Sequence, residues 1–145
     1  METYTTVRRT TTGMSSDTAV ETLHAVDDRS KVVAVLSTAA AFGAGMLTIG
    51  DIEFVSIGAA AFGIGVRFAS VWWGVRAFVD DDAVTIADQP TAGSFHHGAV
   101  GVALAAAGAA ALAARALGGE VVPVAATATG IGVVGFLALS VLLPD

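Results

Sequence analysis

The chain has 145 residues, a mean hydropathy of +0.74 and a formal net charge of −6. It contains no cysteine, which excludes disulfides, thiolate-bound metals, iron–sulfur clusters and cysteine nucleophiles. Thirteen acidic residues outnumber seven lysines and arginines, so the clustered cations that nucleic-acid binding needs are missing and no nucleic-acid partner is expected. The acidic, lysine-poor composition is similar to that of proteins from salt-loving prokaryotes, whose cytosol screens charge strongly.

The first 31 residues form a polar cytoplasmic tail, which is expected to be disordered as far as about Ser16. The sequence allows a short helix at 17–30, because Thr18 and Glu21 fit a capping box. Its apolar stripe is thin. Such a helix could lie on the membrane surface or form a frayed lead-in to the next segment, and the sequence leaves both alternatives open.

Four long apolar stretches fill most of the remaining chain, at 32–50, 54–75, 99–119 and 121–143. Each is close to the ~20 residues that a helix needs to cross the ~30 Å hydrocarbon core of a bilayer. Short connections join the first two stretches and the last two, which predicts two helical hairpins. The predicted fold is therefore an all-α membrane protein, a four-transmembrane-helix bundle made of two helical hairpins, with residues 32–145 as the membrane domain.

The hairpins are joined by a longer polar loop, 76–98. Positive charges flank the predicted spans at Arg29, Lys31 and Arg76, all on one predicted side, whereas the other side has only Arg115. The positive-inside rule then places both termini and the loop in the cytoplasm of a multi-pass protein of the cell membrane.

Span 2 carries the only charged residue that lies well inside an apolar stretch, Arg67. Helical steps of four and three residues connect small or polar side chains only: Ser56, Ala60, Gly63, Arg67, Ser70 and Gly74. Positions at this spacing share one helix face, so Arg67 is expected to point towards other helices and away from lipid. The candidate residues for contact with a ligand or partner are therefore Arg67, Ser56, Gly63 and Ser70.

A charge near the middle of the membrane costs at least ~2.5–3.5 kcal/mol, so Arg67 should have a partner. No apolar stretch contains an interior carboxylate, and Asp51 and Glu53 lie several helical turns away. Two alternatives remain open. Arg67 meets an acidic group of another subunit, a lipid phosphate or an anionic ligand; otherwise it bonds to carbonyls and hydroxyls within the bundle, or its side chain reaches the interface.

Two further patterns concern packing between the spans. Span 1 has its own small-residue seam, and we expect it to pack against the seam of span 2. The span 1 seam consists of Ala34, Ser37, Ala41, Gly45 and Thr48. Span 3 is rich in alanine and only weakly hydrophobic, so we expect neighbouring helices or an oligomer to shield it.

The adjacent His96 and His97, close to an acidic run at 80–82, are weak candidates for a metal site. Neighbouring side chains diverge by about 100° on a helix, so interface or capping roles fit these histidines better. The spans offer no interior histidine for haem and no interior acid for proton coupling. We therefore expect no catalytic residue, no cofactor and no enzymatic activity, with an enzyme using the histidine segment as a minor alternative.

These patterns favour a small accessory or structural subunit of a larger membrane complex. Its expected partners are membrane lipid and either a partner subunit or further copies of the chain, with Arg67 and the small-residue seams as docking surfaces. The alternative is an oligomeric transporter or channel in which Arg67 lines an anion path.

Overall fold

Four α-helices make up the part of the chain that the computed structural model describes, residues 16–78 and 95–142. In chain order they are α1 (Ser16–Thr48), α2 (Ile52–Phe78), α3 (Phe95–Ala116) and α4 (Val121–Leu142). All four are long and apolar enough to cross a membrane, which confirms the predicted all-helical fold with four apolar helices. Most of the predicted disordered segment and of the predicted 76–98 loop lies outside the described residues.

Helix α1 begins at Ser16 and continues without a break into the first predicted span. The residues that could have formed a separate short helix are its first turns, because no glycine or proline interrupts them. Thr18 lies in the first turn of α1, where its carbonyl accepts a hydrogen bond from Thr22 Oγ1 at 2.8 Å. One side of this segment is buried, at Ala19, Leu23, Val26 and Ser30.

The turn between α1 and α2 has a cap on each side. Gly50 ends α1 with a φ of +72°, a left-handed conformation that glycine adopts without steric cost, and its N–H donates to the Gly45 carbonyl at 3.3 Å. Asp51 begins α2, since its Oδ1 accepts the Phe54 N–H at 3.1 Å and its carbonyl accepts the Val55 N–H at 2.9 Å. The tight predicted hairpin is therefore present.

The turn between α3 and α4 is built in a similar way. Gly118 has a φ of +89°, and the Gly119 N–H donates to the Ala114 carbonyl at 3.0 Å. Helix α4 starts directly after Glu120, whose carbonyl accepts the Val124 N–H at 3.1 Å. Pro123 lies in the first turn of α4, where a missing N–H has no intrahelical acceptor to lose.

The helices pack in a row that follows chain order. Helices α2 and α3 share the largest interface, α1 packs on α2 with slight contact to α3, and α4 packs chiefly on α3. No extensive contact joins α1 to α4 among the described helices, so the row does not close into a ring. The alanine-rich α3 therefore has a central position, as its weak hydrophobicity predicted, with Ala99, Ala103 and Ala111 buried.

Helices α1 and α2 run antiparallel, and only part of the two predicted seams lies in their interface: Gly45 and Gly63 are buried there, whereas Ser56 and Ala60 are exposed. At one end, Val55 fits against Gly45, with its Cγ1 2.7 Å from where a glycine Cβ would be. Further along, a Cβ on Gly63 would overlap the Thr38 side chain and would lie 3.2 Å from the carbonyl oxygen of Ala34. Thr38, which is outside the predicted seam, is thus a principal contact.

Glycines bring the backbones of α2 and α3 into direct contact. A Cβ on Gly65 would lie 2.6 Å from the Gly101 carbonyl oxygen, and a Cβ on Gly108 would lie 2.9 Å from the Gly58 carbonyl oxygen. The two glycines of each helix are seven residues apart, so both lie on one face at the repeat typical of antiparallel helix pairs. This interface was not predicted from the sequence.

Helix α4 lies on α3 through a narrow strip of small residues. Val124 and Ala128 are buried, and Gly132 and Gly135 approach Ala107 and Ala103 of α3. The rest of α4 and much of α1 expose apolar side chains. They include Val32, Val35, Leu36 and Leu47 on α1, and Val134, Leu137, Val141 and Leu142 on α4.

Candidate functional site

The register of α1 against α2 determines which residues can reach Arg67. Val26 packs on Gly74, and a Cβ added to Gly74 would lie 2.5 Å from Val26 Cγ1. Because the helices are antiparallel, the next residue of α1, Asp27, lies level with Trp73 of α2. This level is nearly two turns beyond Arg67, towards the end of α2.

Arg67 contacts a carboxylate of α1. Its Nη2 donates to Asp27 Oδ1 at 3.4 Å, and the other oxygen of the same carboxylate, Oδ2, lies 2.6 Å from Lys31 Nζ. Lys31 also contacts Asp28 Oδ1 at 3.1 Å. We call these four residues, Asp27, Asp28, Lys31 and Arg67, the charge cluster.

The carboxylate partner of Arg67 corrects the sequence-based choice of internal partners, which were carbonyls and hydroxyls. Asp27 lies outside the predicted span 32–50, in residues treated as a polar tail. It comes within reach because α1 extends well before the span and runs beside the last turns of α2. The Arg67 side chain therefore points towards the end of α2, although side chains lean on average towards a helix N-terminus.

The Asp27 carboxylate is shared unequally between the two cations of the charge cluster, Lys31 and Arg67. The Lys31 contact has the short distance of a charge-assisted hydrogen bond, whereas the Arg67 contact is longer than the usual range. All three side chains remain partly accessible, with 46% of Arg67, 41% of Asp27 and 49% of Lys31 exposed. Among the described residues Asp27 is the only hydrogen-bond partner of Arg67, so most of the five guanidinium donors remain available.

An apolar groove between α1 and α2 begins at Arg67. It is open along one side and has a volume of about 550 Å³. We call it the α1–α2 groove. Its lining consists of Ala34, Val35, Thr38, Ala39, Phe42, Ser56, Ala59, Gly63, Ile64 and Arg67.

The predicted contact residues are divided between two places. Arg67, Ser56 and Gly63 all line the α1–α2 groove, so the structure brings these three together. Gly63 is buried against α1, whereas Ser56 is exposed. Ser70 does not join them, because it lines a separate depression next to Trp73.

A second groove is formed by α2, α3 and α4 and has a volume of about 510 Å³. We call it the three-helix cleft. It is lined mainly by small residues: Gly58, Ala61, Ala107, Gly108, Ala111, Ala125, Ala128 and Gly132, with Phe54, Ile57, Leu104, Val121, Thr129 and Val133 around them. This cleft was not predicted from the sequence. Its signal was the glycine pair on α3, whose seven-residue spacing predicts a close neighbour.

The histidine pair lies at the start of α3, and His97 takes part in packing. The ring of His97 lies 5.7 Å from the ring of Phe68, centroid to centroid, whereas His96 is exposed. Nearby, the Arg76 guanidinium carbon lies 5.5 Å from the centre of the Trp72 ring, a cation–π distance. The described residues contain no group of three or more potential metal ligands, and the acidic run at 80–82 is outside them.

Comparisons of this chain with protein-family models, with curated proteins and with solved structures found no match.

Proposed function

We propose that this protein is a four-span integral membrane protein that serves as an accessory or structural subunit of a larger membrane complex. The partner on this proposal is another membrane protein, which places one apolar transmembrane helix in the three-helix cleft. Four helices with the length and hydropathy of membrane spans support the membrane location. The role is structural, and no catalytic step is assigned to it.

The orientation that we propose follows from charges at the ends of the helices. Lys31 in the charge cluster and Arg76 at the end of α2 lie at the same end of the row, which also carries Trp72 and Trp73. Tryptophans mark a membrane boundary on either side, and an excess of lysine and arginine is typical of the cytoplasmic side. Both termini and the 76–98 loop are therefore cytoplasmic in this proposal.

The three-helix cleft is the observation that carries the docking proposal. Glycine and alanine along its walls permit the close backbone approach by which membrane helices associate. The cleft is concave, and two identical concave surfaces do not fill each other in a twofold-symmetric dimer. A helix of another protein, being convex, is the better complement.

The test fills the cleft with a large side chain. Ala125 and Ala126 are consecutive exposed residues of α4, but only Ala125 lines the cleft. In affinity purification from the native host in mild detergent, we expect a defined partner to co-purify with the wild-type protein and with Ala126→Trp. We expect the partner to be lost from Ala125→Trp, because the indole occupies the space of the partner helix.

Two results would count against this proposal. A wild-type protein that purifies without any stoichiometric partner would contradict the subunit role. A partner retained equally by both tryptophan variants would contradict the cleft as its docking surface, and would direct attention to the exposed faces of α1 and α4.

The alternative, an oligomeric transporter or channel with Arg67 in an anion path, has weaker support. The guanidinium contacts Asp27, and this carboxylate opposes the passage of anions. Uptake or conductance by the reconstituted protein, abolished in Arg67→Leu, would favour the alternative over the subunit.

A further inference from the structure

We propose that the α1–α2 groove binds one anionic phospholipid, with the lipid phosphate at Arg67 and one acyl chain lying along the groove. This inference goes beyond the subunit role, because it concerns a different surface from the three-helix cleft. It rests on the charge at one end of the groove, on the length of the groove and on its depth relative to the tryptophans.

The charge at the end of the groove suits a phosphate. The Arg67 guanidinium has one long hydrogen bond of 3.4 Å to Asp27, and Lys31 holds the same carboxylate more closely, at 2.6 Å. The remaining N–H donors form a planar fork, which matches two oxygens of a phosphate group. The charge cluster has two carboxylates and two cations, so a phosphate would bind through the hydrogen-bond donors of Arg67 and not through a net positive charge of the cluster.

The length of the groove suits one acyl chain. Along α2 the lining extends from Ser56 to Arg67, which corresponds to about 16 Å at 1.5 Å per residue. This length is close to half of the ~30 Å hydrocarbon core, the thickness of one leaflet. Apart from Arg67, Thr38 and Ser56, the lining side chains are apolar, and Thr38 satisfies its hydroxyl at the Ala34 carbonyl at 2.8 Å.

The depth of the charged end suits a headgroup. Arg67 extends its guanidinium towards Asp27, which lies level with Trp73, a residue that is 70% exposed. Tryptophans concentrate where the hydrocarbon core meets the headgroups, so the guanidinium reaches the depth of a lipid phosphate. The acyl chain then extends from Arg67 towards Ser56, into the core.

A second copy of the chain fits this groove less well. Copies related by a twofold axis along the membrane normal would bring two Arg67 side chains together at the same depth. Two like charges at close distance repel each other, so each copy would need an anion of its own. A lipid provides both the anion and the apolar filling.

The test is native mass spectrometry of the delipidated full-length protein, titrated separately with phosphatidylglycerol and phosphatidylcholine of identical acyl chains. We expect the wild-type protein to retain one phosphatidylglycerol with about tenfold preference, because phosphatidylcholine presents the same phosphate together with a cationic choline that cancels its charge. Arg67→Gln should remove the preference, whereas Asp27→Asn should keep or increase it, because the guanidinium loses its competitor.

Two tryptophan substitutions, one inside the groove and one beside it, test whether the groove itself holds the acyl chain. Ala39 and Ala40 are both exposed on α1, but only Ala39 lines the groove. Ala39→Trp should weaken retention of both lipids, and Ala40→Trp should behave as wild type. All variants are first compared by circular dichroism and gel filtration, and only those with wild-type helix content and elution are titrated.

Several outcomes would overturn the lipid site. They are equal retention of the two lipids by wild type, an unchanged preference in Arg67→Gln, and lipid-independent dimers that Ala39→Trp disrupts. Displacement of phosphatidylglycerol by millimolar inorganic phosphate would also overturn it, because it would assign Arg67 to free phosphate. None of these results bears on the Ala125→Trp experiment, so the two proposals fail separately.

Discussion

Single glycines determine how closely the helices of this protein approach each other. At Gly65 and Gly101 the backbones of α2 and α3 touch, and a Cβ on either residue would overlap backbone atoms of the other helix. At Gly43 of α1, in contrast, no atom beyond the local helix backbone among the described residues lies within 4 Å of a hypothetical Cβ. The same substitution should therefore have opposite effects at the two kinds of position.

Gly65→Ala should lower the free energy of unfolding by about 1–3 kcal/mol, because a methyl group forced between packed backbones separates the helices. Gly43→Ala should raise it by about 0.5–1 kcal/mol through its higher helix propensity. Titration with sodium dodecyl sulfate in mixed micelles, followed by circular dichroism, measures both. Equal effects of the two substitutions would contradict the close contact of α2 with α3.

Arg67 shows how far a single residue could be interpreted from sequence. Its isolation in an apolar stretch and its place on a small-residue face predicted a partner, and the structure provides Asp27. The partner itself could not be predicted, because it lies 40 residues away in a segment whose composition resembles a tail. Only the register of α1 against α2, which the glycine contacts determine, brings the two side chains together.

The existence of the four helices could be predicted from the sequence, because a bilayer requires about 20 apolar residues per span and turn residues interrupt the apolar runs. The faces that pack were less predictable. Helix α2 contacts α1 on one side and α3 on the other, so small residues occur around most of its circumference. A helix that is apolar all round shows little periodicity, and the α2–α3 interface and the three-helix cleft were missed for this reason.

The start of α2 allows a prediction at the scale of the element. Asp51→Ala should lower the free energy of unfolding by about 0.5–2 kcal/mol, because the Phe54 N–H loses its 3.1 Å acceptor at the helix N-terminus. Thermal unfolding in detergent micelles, followed by circular dichroism, measures the change.

Glu53→Ala provides the control for Asp51→Ala. Glu53 is an exposed acid in the first turn of α2, and its side chain makes no hydrogen bond among the described residues. We expect it to contribute less, through the helix dipole alone. A larger loss in Glu53→Ala than in Asp51→Ala would show that the cap is not a source of stability.

The open row gives the whole molecule two different exposed regions. Helices α1 and α4 each have one principal neighbour, and their outer faces are apolar enough to lie against lipid. The two concave surfaces are the α1–α2 groove and the three-helix cleft. They differ in charge, because only the groove ends at an arginine. The two proposals therefore assign the phospholipid and the partner helix to separate surfaces of one molecule.

The orientation of the whole molecule can be tested with single cysteines, since the natural chain has none. Leu117, in the turn before α4, and Phe78, at the end of α2, are 89% and 62% exposed and lie at opposite ends of the row. With cytoplasmic termini, an impermeant maleimide should label Leu117→Cys in intact cells and Phe78→Cys only after permeabilisation.

The two possible departures from this labelling pattern have different meanings. Labelling of both cysteines from outside would contradict four complete spans, because α3 begins at the end of the row where α2 ends and finishes at the other. A reversed pattern would keep the spans but invert the molecule. Arg67 would then face the outer leaflet, and the proposed phospholipid would have to be an outer-leaflet lipid. The labelling result therefore decides which leaflet must supply the anionic headgroup.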